Sequence, residues 1–395
     1  MTWLIVLVGA CLGLVVYAYL LYPLILFLAA GWVQLVRDIR FVWTKSQRRS
    51  LSQVELPHVG VVIAAYNEER HMAARITNLL SLDYPVERLH CYIGSDGSQD
   101  GTAEVLRSIT DPRIQTFVFE RNRGKASVLN DLVERVEQPI VVFSDANTFF
   151  DAQALRRLVE PFADAAVGGV SGELRLLGSH GTNQDSLYWK VEQCLKFFEA
   201  RIGGLLGANG AIYAIRRSLW KPLAPDTICD DFCVGMTVAA SGRRLAYAPQ
   251  AWAEEETPPD ISDEYGRRVR IGIGNFQALF RHPDYLLRTS MGTRFAYLSH
   301  KVLRWLAPHL LLVALCGSFV LAGLDVSVGW LWFALAQLLA YLGCAGLYAL
   351  LQRGSRLPGW LRIPVFLYAL NWAFLVASWR YATGQYSGSW RRTAR

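Results

Sequence analysis

Charge is what this sequence has least of. Asp, Glu, Lys and Arg make up 18% of its 395 residues, against about 25% in ordinary soluble domains. No charged residue stands between Trp3 and Val36, which excludes a chain exposed to water throughout its length. A disulfide framework is also missing. Seven cysteines are scattered at Cys11, Cys91, Cys194, Cys229, Cys233, Cys316 and Cys344, with no CxxC pair. Cys229 and Cys233 are one helical turn apart, but no histidine or further cysteine beside them completes a zinc site. Buried reduced thiols are the expectation. Nucleic-acid motifs are absent too. The net charge of +7 is therefore read from its placement. Arginines flank the apolar stretches, at Arg37 to Arg49 and Arg391 to Arg395, which suits anionic lipid headgroups and topology control.

What is there begins with the apolar runs. A membrane span needs about 20 apolar residues. Trp3–Val36 is too long for the core of a signal peptide and lacks a basic start, so it reads as a retained transmembrane helix, tilted or bent near Pro23. Arg37, Arg40, Lys45, Arg48 and Arg49 follow and put its C-terminal end in the cytoplasm. Three more segments, Val302–Leu324, Gly329–Leu351 and Ile363–Ala382, read as membrane helices. Three arginines make Gln352–Arg362 cytoplasmic, with Asp325 on the far side. If all three segments span, the tail Arg391–Arg395 falls outside, against the positive-inside rule. Either the last segment is re-entrant or interfacial, or the rule is broken. Trp305, Trp330, Trp332, Trp360, Trp372, Trp379 and Trp390 have two readings, as interfacial anchors or as a sugar path.

Between these regions the pattern is that of an α/β domain. Val59–Ala64 is a continuous apolar run, as buried parallel strands are. Helix Arg75–Leu82, strand Leu89–Ser95, helix Ala103–Ile109, strand Ile114–Phe119, helix Ala126–Glu137 and strand Ile140–Ser144 follow. The alternation predicts a Rossmann-like, mostly parallel sheet, with ligands at the carboxyl ends of its strands. Tyr265 to Leu287 mixes arginines with apolar residues and suits an interfacial helix.

Polar clusters sit at those strand ends. Tyr66-Asn67-Glu68 can pack on and hydrogen-bond a base and ribose, or form a helix cap. Asp96 in Ser95-Asp96-Gly97-Ser98 can reach a nucleobase edge, or belong to a turn. Arg121-Asn122-Arg123-Gly124-Lys125 at a helix start suits a phosphate, or is a surface loop. Asp145 and Asn147, one residue apart, can share a hard divalent ion. Asp230 and Asp231 are either a capping pair or a carboxylate pair of which one is a base with a raised pKa. Arg267-Arg268-Val269-Arg270 can grip phosphates or headgroups.

In this order the six clusters resemble family-2 glycosyltransferases. This is the inverting GT-A group with chitin, hyaluronan, cellulose and poly-N-acetylglucosamine synthases. The resemblance spans about Val59 to Gly274. It implies that Tyr66, Glu68 and Asp96 hold the uracil and ribose of a UDP-sugar, with Lys125 near the nucleotide; Asn67, between Tyr66 and Glu68, is a donor-binding candidate with them. Asp145 and Asn147 would occupy the DxD position that binds Mg²⁺ or Mn²⁺. Asp231, with Asp230 before it, would be the general base, and Arg267 and Arg270 would match the ends of the QxxRW segment at the diphosphate. Two positions depart from the family: Asn147 replaces an aspartate, and residues 267–271 lack the glutamine and tryptophan of QxxRW. The expected layout is a helix at 1–36, a basic linker at 37–57, a cytoplasmic GT-A domain at 58–258, an arginine-bearing interfacial region at 259–300 and a membrane region at 301–395. No further soluble domain, such as a cellulose-synthase-like regulatory one, is expected after the last membrane segment. The expected reaction, at the cell's inner membrane, extends a polysaccharide, with transfer to a lipid carrier or glycolipid as the alternative. A non-catalytic membrane scaffold is the alternative from another class.

Overall fold

The structure is a computed structural model and describes residues 1–44, 55–177, 186–256, 261–355 and 357–387. Lys45, Arg48, Arg49, Pro258, Pro259, Arg356, Trp390 and the tail 391–395 lie outside the described residues. The chain divides into two compact units. One comprises Met1–Leu28, Asp260–Phe280 and Phe295–Tyr386, and the other is chiefly Ala29–Pro259 with Arg281–Arg294.

The second unit is built on eight strands: β1 (Val59–Ala65), β2 (Leu89–Asp96), β3 (Ile114–Phe119), β4 (Ile140–Asp145), β5 (Thr148–Phe150), β6 (Val167–Leu177), β7 (Tyr213–Arg216) and β8 (Arg244–Glu256). Their order is β3-β2-β1-β4-β7-β6-β8-β5. The first four are parallel. Every residue of β1 is buried, because helices cover both of its faces, which is why it reads as an unbroken apolar run. Val59, Val61, Ile63 and Ala65 share one core with Met72, Leu79 and Leu106. Val62 and Ala64 point the other way, onto Val128, Leu132 and Val234.

Register sets where the site forms. Ala64 pairs with Asp145 and Ala65 with Ser95, so the polar loops after β1, β2 and β4 leave the sheet side by side. Strand β7 is antiparallel to both β4 and β6. Its first residue, Tyr213, lies opposite Phe143 near the carboxyl end of β4, and this brings the 207–211 loop to the same edge.

Two boundaries differ from the sequence reading. The helix expected from Arg75 starts at Glu69, since its first turn carries polar residues that hide the apolar period. The helix after Cys229 starts at Asp230, so both aspartates belong to its first turn rather than capping it from outside.

Among the described residues, four helices are long and apolar enough to cross a membrane: Thr2–Thr44, Met291–Gly323, Val328–Gln352 and Gly359–Ala382. The first runs on past Leu28 into the other unit. It is interrupted by a π-turn at Tyr17–Leu21, which ends two residues before Pro23. Proline has no N–H to donate and its ring crowds the carbonyl four residues back, which accounts for the break in the regular hydrogen-bond pattern here. A second π-turn spans Tyr297–Val302, and Tyr17 Oη lies 2.9 Å from Ser299 Oγ. Leu4, Val8 and Cys11 pack on Ala314 and Leu321, at a seam where Gly317 lets the backbones approach. The last segment is one continuous helix, Gly359–Ala382, not a re-entrant hairpin. Trp332, Trp360, Trp372 and Trp379 are exposed on these helices, whereas Trp305 is buried. All seven cysteines are free. Cys11, Cys91, Cys229 and Cys233 are buried as expected, but Cys194 and Cys316 are exposed.

Candidate active site

The loop after β1 is stitched to the loop after β2. Asn67 takes a left-handed backbone, φ 55°, which asparagine tolerates better than most residues. Its N–H donates to Ser98 Oγ at 3.1 Å, and its Oδ1 accepts the Gln99 N–H at 2.8 Å. The Glu68 N–H donates to Thr102 Oγ1 at 2.8 Å, while the Glu68 carboxylate faces His71 Nδ1 at 3.0 Å. Tyr66 is half-buried beside them.

Asp96 is completely buried. Its carboxylate accepts the Arg123 N–H at 3.0 Å and the Gly124 N–H at 2.8 Å. In this structure Asp96 therefore holds the 121–124 loop in place. Two glycines make this possible. Gly124 has φ 90°, a conformation that side chains disfavour. Gly97 has φ 66°, and a Cβ there would fall 2.5 Å from the Arg121 backbone.

Lys125 opens the Lys125–Arg135 helix and reaches two carboxylates. Its Nζ lies 2.8 Å from Asp145 Oδ1 and 3.3 Å from Asp230 Oδ2. Burial alone would lower the ammonium's pKa, but Asp145 and Asp230 outweigh it and raise it above the usual lysine value. The lysine thus stays charged and offsets part of the acidic cluster.

Asp231 is held from two sides. Its Oδ2 accepts the Gly210 N–H at 2.9 Å, and its Oδ1 the Phe232 N–H at 2.7 Å. Burial raises its pKa to about 6, with the neighbouring Asp230 adding to the rise and Lys125 opposing it. A carboxyl tuned to that range is suited to taking a proton near neutral pH.

Asn147 is buried, and its Nδ2 donates to Glu255 Oε1 on β8 at 3.1 Å. The amide's NH₂ end is thereby committed to protein, which leaves its carbonyl oxygen as the atom that could take an ion. Among the described residues no group of three or more His, Cys, Asp or Glu forms a ready-made cage. Asp145 and Asn147 together offer two hard oxygens. That fits Mg²⁺ or Mn²⁺ sites completed by a substrate's phosphates.

The structure brings together Tyr66, Asn67, Glu68, Asp96, Lys125, Asp145, Asn147, Asp230 and Asp231 around the carboxyl edge of one sheet. Arg267 and Arg270 lie on the Ile261–Arg281 helix of the other unit, where Arg267 is half-buried and Arg270 exposed. Sequence reasoning missed Glu255. Three consecutive glutamates at the end of a strand, Glu254 to Glu256, were the available signal.

Known proteins resemble this chain in sequence and in fold. Residues 57–273 match the family described as glycosyltransferase like family 2. The poly-β-1,6-N-acetyl-D-glucosamine synthase of Staphylococcus aureus (strain COL) is 26% identical over 310 residues, covering 75% of this chain and 74% of that protein. The synthase of the same name from Staphylococcus epidermidis is 27% identical over 274 residues, covering 66% of each. Among solved structures, a mannosyltransferase from Pyrobaculum calidifontis, in complex with GDP-Man and Mn²⁺, superposes with a TM-score of 0.64 at 20% identity. That superposition covers 94% of this chain and all of that one, and shows the GT-A fold. A family match over more than half its residues, on a sheet of that fold, makes the chain a member of glycosyltransferase family 2 and a glycosyltransferase.

Proposed function

We propose that the chain performs inverting, single-displacement sugar transfer from a UDP-sugar, with Asp231 as general base. The observation that carries this reading is the setting of Asp231, pinned by Gly210 and poised at a pKa of about 6. Asp231 takes the proton of an acceptor hydroxyl. That oxygen attacks the anomeric carbon from the face opposite the nucleotide. Tyr66, Asn67 and Glu68 bind the base and ribose, and Asp96 serves the same site through the loop it holds. Lys125 neutralises charge beside the diphosphate. Asp145 and Asn147 would hold a Mg²⁺ or Mn²⁺ ion, which would supply charge stabilisation for the departing diphosphate. Arg267 and Arg270 are assigned to the diphosphate or the acceptor.

The acceptor is a growing polysaccharide, a reading supported by similarity to the staphylococcal synthases. A second reading, single transfer to a lipid-linked acceptor, is favoured by Ile271, which stands where the polymerising members carry tryptophan. Four apolar helices and the arginines after the first of them support a multi-pass protein of the inner membrane, with the 58–258 domain on the cytoplasmic face. A donor screen with UDP- and GDP-sugars in membranes, followed by sizing of the product, tests donor and acceptor together. Transfer from a GDP-sugar alone would overturn the donor assignment, and a product one sugar longer than its acceptor would overturn the polysaccharide.

A further inference from the structure

Arg75 heads the largest fully buried side chains, with no exposed surface. Burying a guanidinium is costly, and an apolar side chain of similar volume would fill the same space more cheaply. The bonds of Arg75 explain what the cation is for. Its Nη2 donates to Ser144 Oγ at 2.8 Å, and its Nη1 to Asn78 Oδ1 at 2.6 Å. Asn78 in turn clasps Phe150. Its Nδ2 donates to the Phe150 carbonyl and its Oδ1 accepts the Phe150 N–H, both at 2.9 Å. The guanidinium lies 4.4 Å from the centre of the Phe150 ring. Arg75 thus grips residue 144, where the Asp145–Asn147 segment begins, and residue 150, beyond its end.

The grip extends further. Ser144 Oγ donates to the Ala211 carbonyl at 2.9 Å, next to Gly210, whose N–H holds Asp231. Burial lowers the Arg75 pKa to about 9, against Cys91 and Asp145, which raise it. It remains a cation at neutral pH.

We propose that Arg75 is a positioning residue of glycosyl transfer. It fixes the Asp145–Asn147 segment from behind and, through Ser144 and Ala211, ties it to the loop that holds Asp231. This rests on the reading of Asp145 and Asn147 as the metal and donor segment. The test uses the full chain in detergent, as wild type, Arg75→Met, Arg75→Lys and Ser144→Ala. Amide hydrogen exchange is followed across residues 145–150, and Mn²⁺ affinity is measured by spin resonance with UDP present. Losing a charge-assisted bond is expected to speed exchange and weaken Mn²⁺ binding about tenfold or more in Arg75→Met, with partial recovery in Arg75→Lys. Donor KM should rise more than kcat falls. A folded Arg75→Met with wild-type exchange at 145–150 overturns the proposal. If Arg75→Met does not fold, Ser144→Ala decides: smaller shifts in the same direction support it, and none overturns it. A wild type that binds no Mn²⁺ overturns the metal reading instead, and exchange alone then decides for Arg75.

Discussion

Lys125 and Asp145 meet at 2.8 Å, Nζ to Oδ1, across the mouth of the site, both partly open to solvent. The lysine comes from the start of a helix and the aspartate from the end of β4, so their contact closes two strand-end loops on each other. Lys125→Met removes the cation facing Asp145 and Asp230. Donor KM is expected to rise roughly 10- to 100-fold, the range for a lost charge-assisted contact to phosphate. Stability should also fall, because the buried Asp230 and its neighbour Asp231 lose the cation that offsets them. Calorimetric titration with UDP checks the first expectation and thermal unfolding the second.

The base should show itself in the pH profile. Asp231 must be ionised to accept a proton, and its pKa is raised to about 6. The rate is therefore expected to fall as pH drops through about 6. Removing the Asp230 charge favours ionisation of Asp231, so Asp230→Asn should move this acid limb to lower pH. Asp231→Asn should abolish transfer while leaving UDP affinity near wild type. Near-normal turnover in that variant would sink the assignment.

The pairing of Asn147 with Glu255 makes the aspartate usual at this position a poor substitute here. Asn147→Asp alone sets two carboxylates about a hydrogen bond apart and is expected to lower the unfolding temperature by several degrees, on the order of 1–3 kcal/mol. Adding Glu255→Gln should restore it, because the amide and the carboxylate have then changed places. Thermal unfolding of the two single variants and the double variant measures the coupling. An additive result would argue against the pair.

Gly97→Ala is expected to fail in donor binding rather than in folding. A Cβ at Gly97 would strike the Arg121 backbone, and the 121–124 loop would shift off Asp96. UDP affinity should drop by about tenfold or more, as two amide bonds to a carboxylate are strained. Unchanged affinity would mean that the loop does not shape the donor site.

Strands β1, β2 and β4 were legible because a strand buried on both faces must be apolar throughout, whereas β3, at the sheet edge and largely open, was legible from its place in the strand–helix alternation. β5 to β8 were not, since β5 and β7 are only three and four residues long, β6 carries glycines and charges, and β8 carries a proline and ends in glutamates. Within the site, residue types at strand ends announced themselves, but their partners did not. Asp96 spends its carboxylate on amides 27 and 28 positions away, and Glu255 lies 108 positions from Asn147. Arg75 reads in the sequence as one more surface cation on an amphipathic helix. Only its three-dimensional setting reveals a buried one.

The late insertion of β7 has a consequence for biosynthesis. A chain emerging from the ribosome folds its N-terminal part first. When residue 147 has emerged, Tyr66, Asp96, Lys125, Asp145 and Asn147 are all present, at the ends of the parallel strands or in the loops and helix that follow them. Gly210, Asp231 and Glu255 are not yet made. On the reading proposed above, a nascent chain at that stage has the residues assigned to the nucleotide but not the proposed base, and transfer waits for Asp231, which follows the returning strand β7.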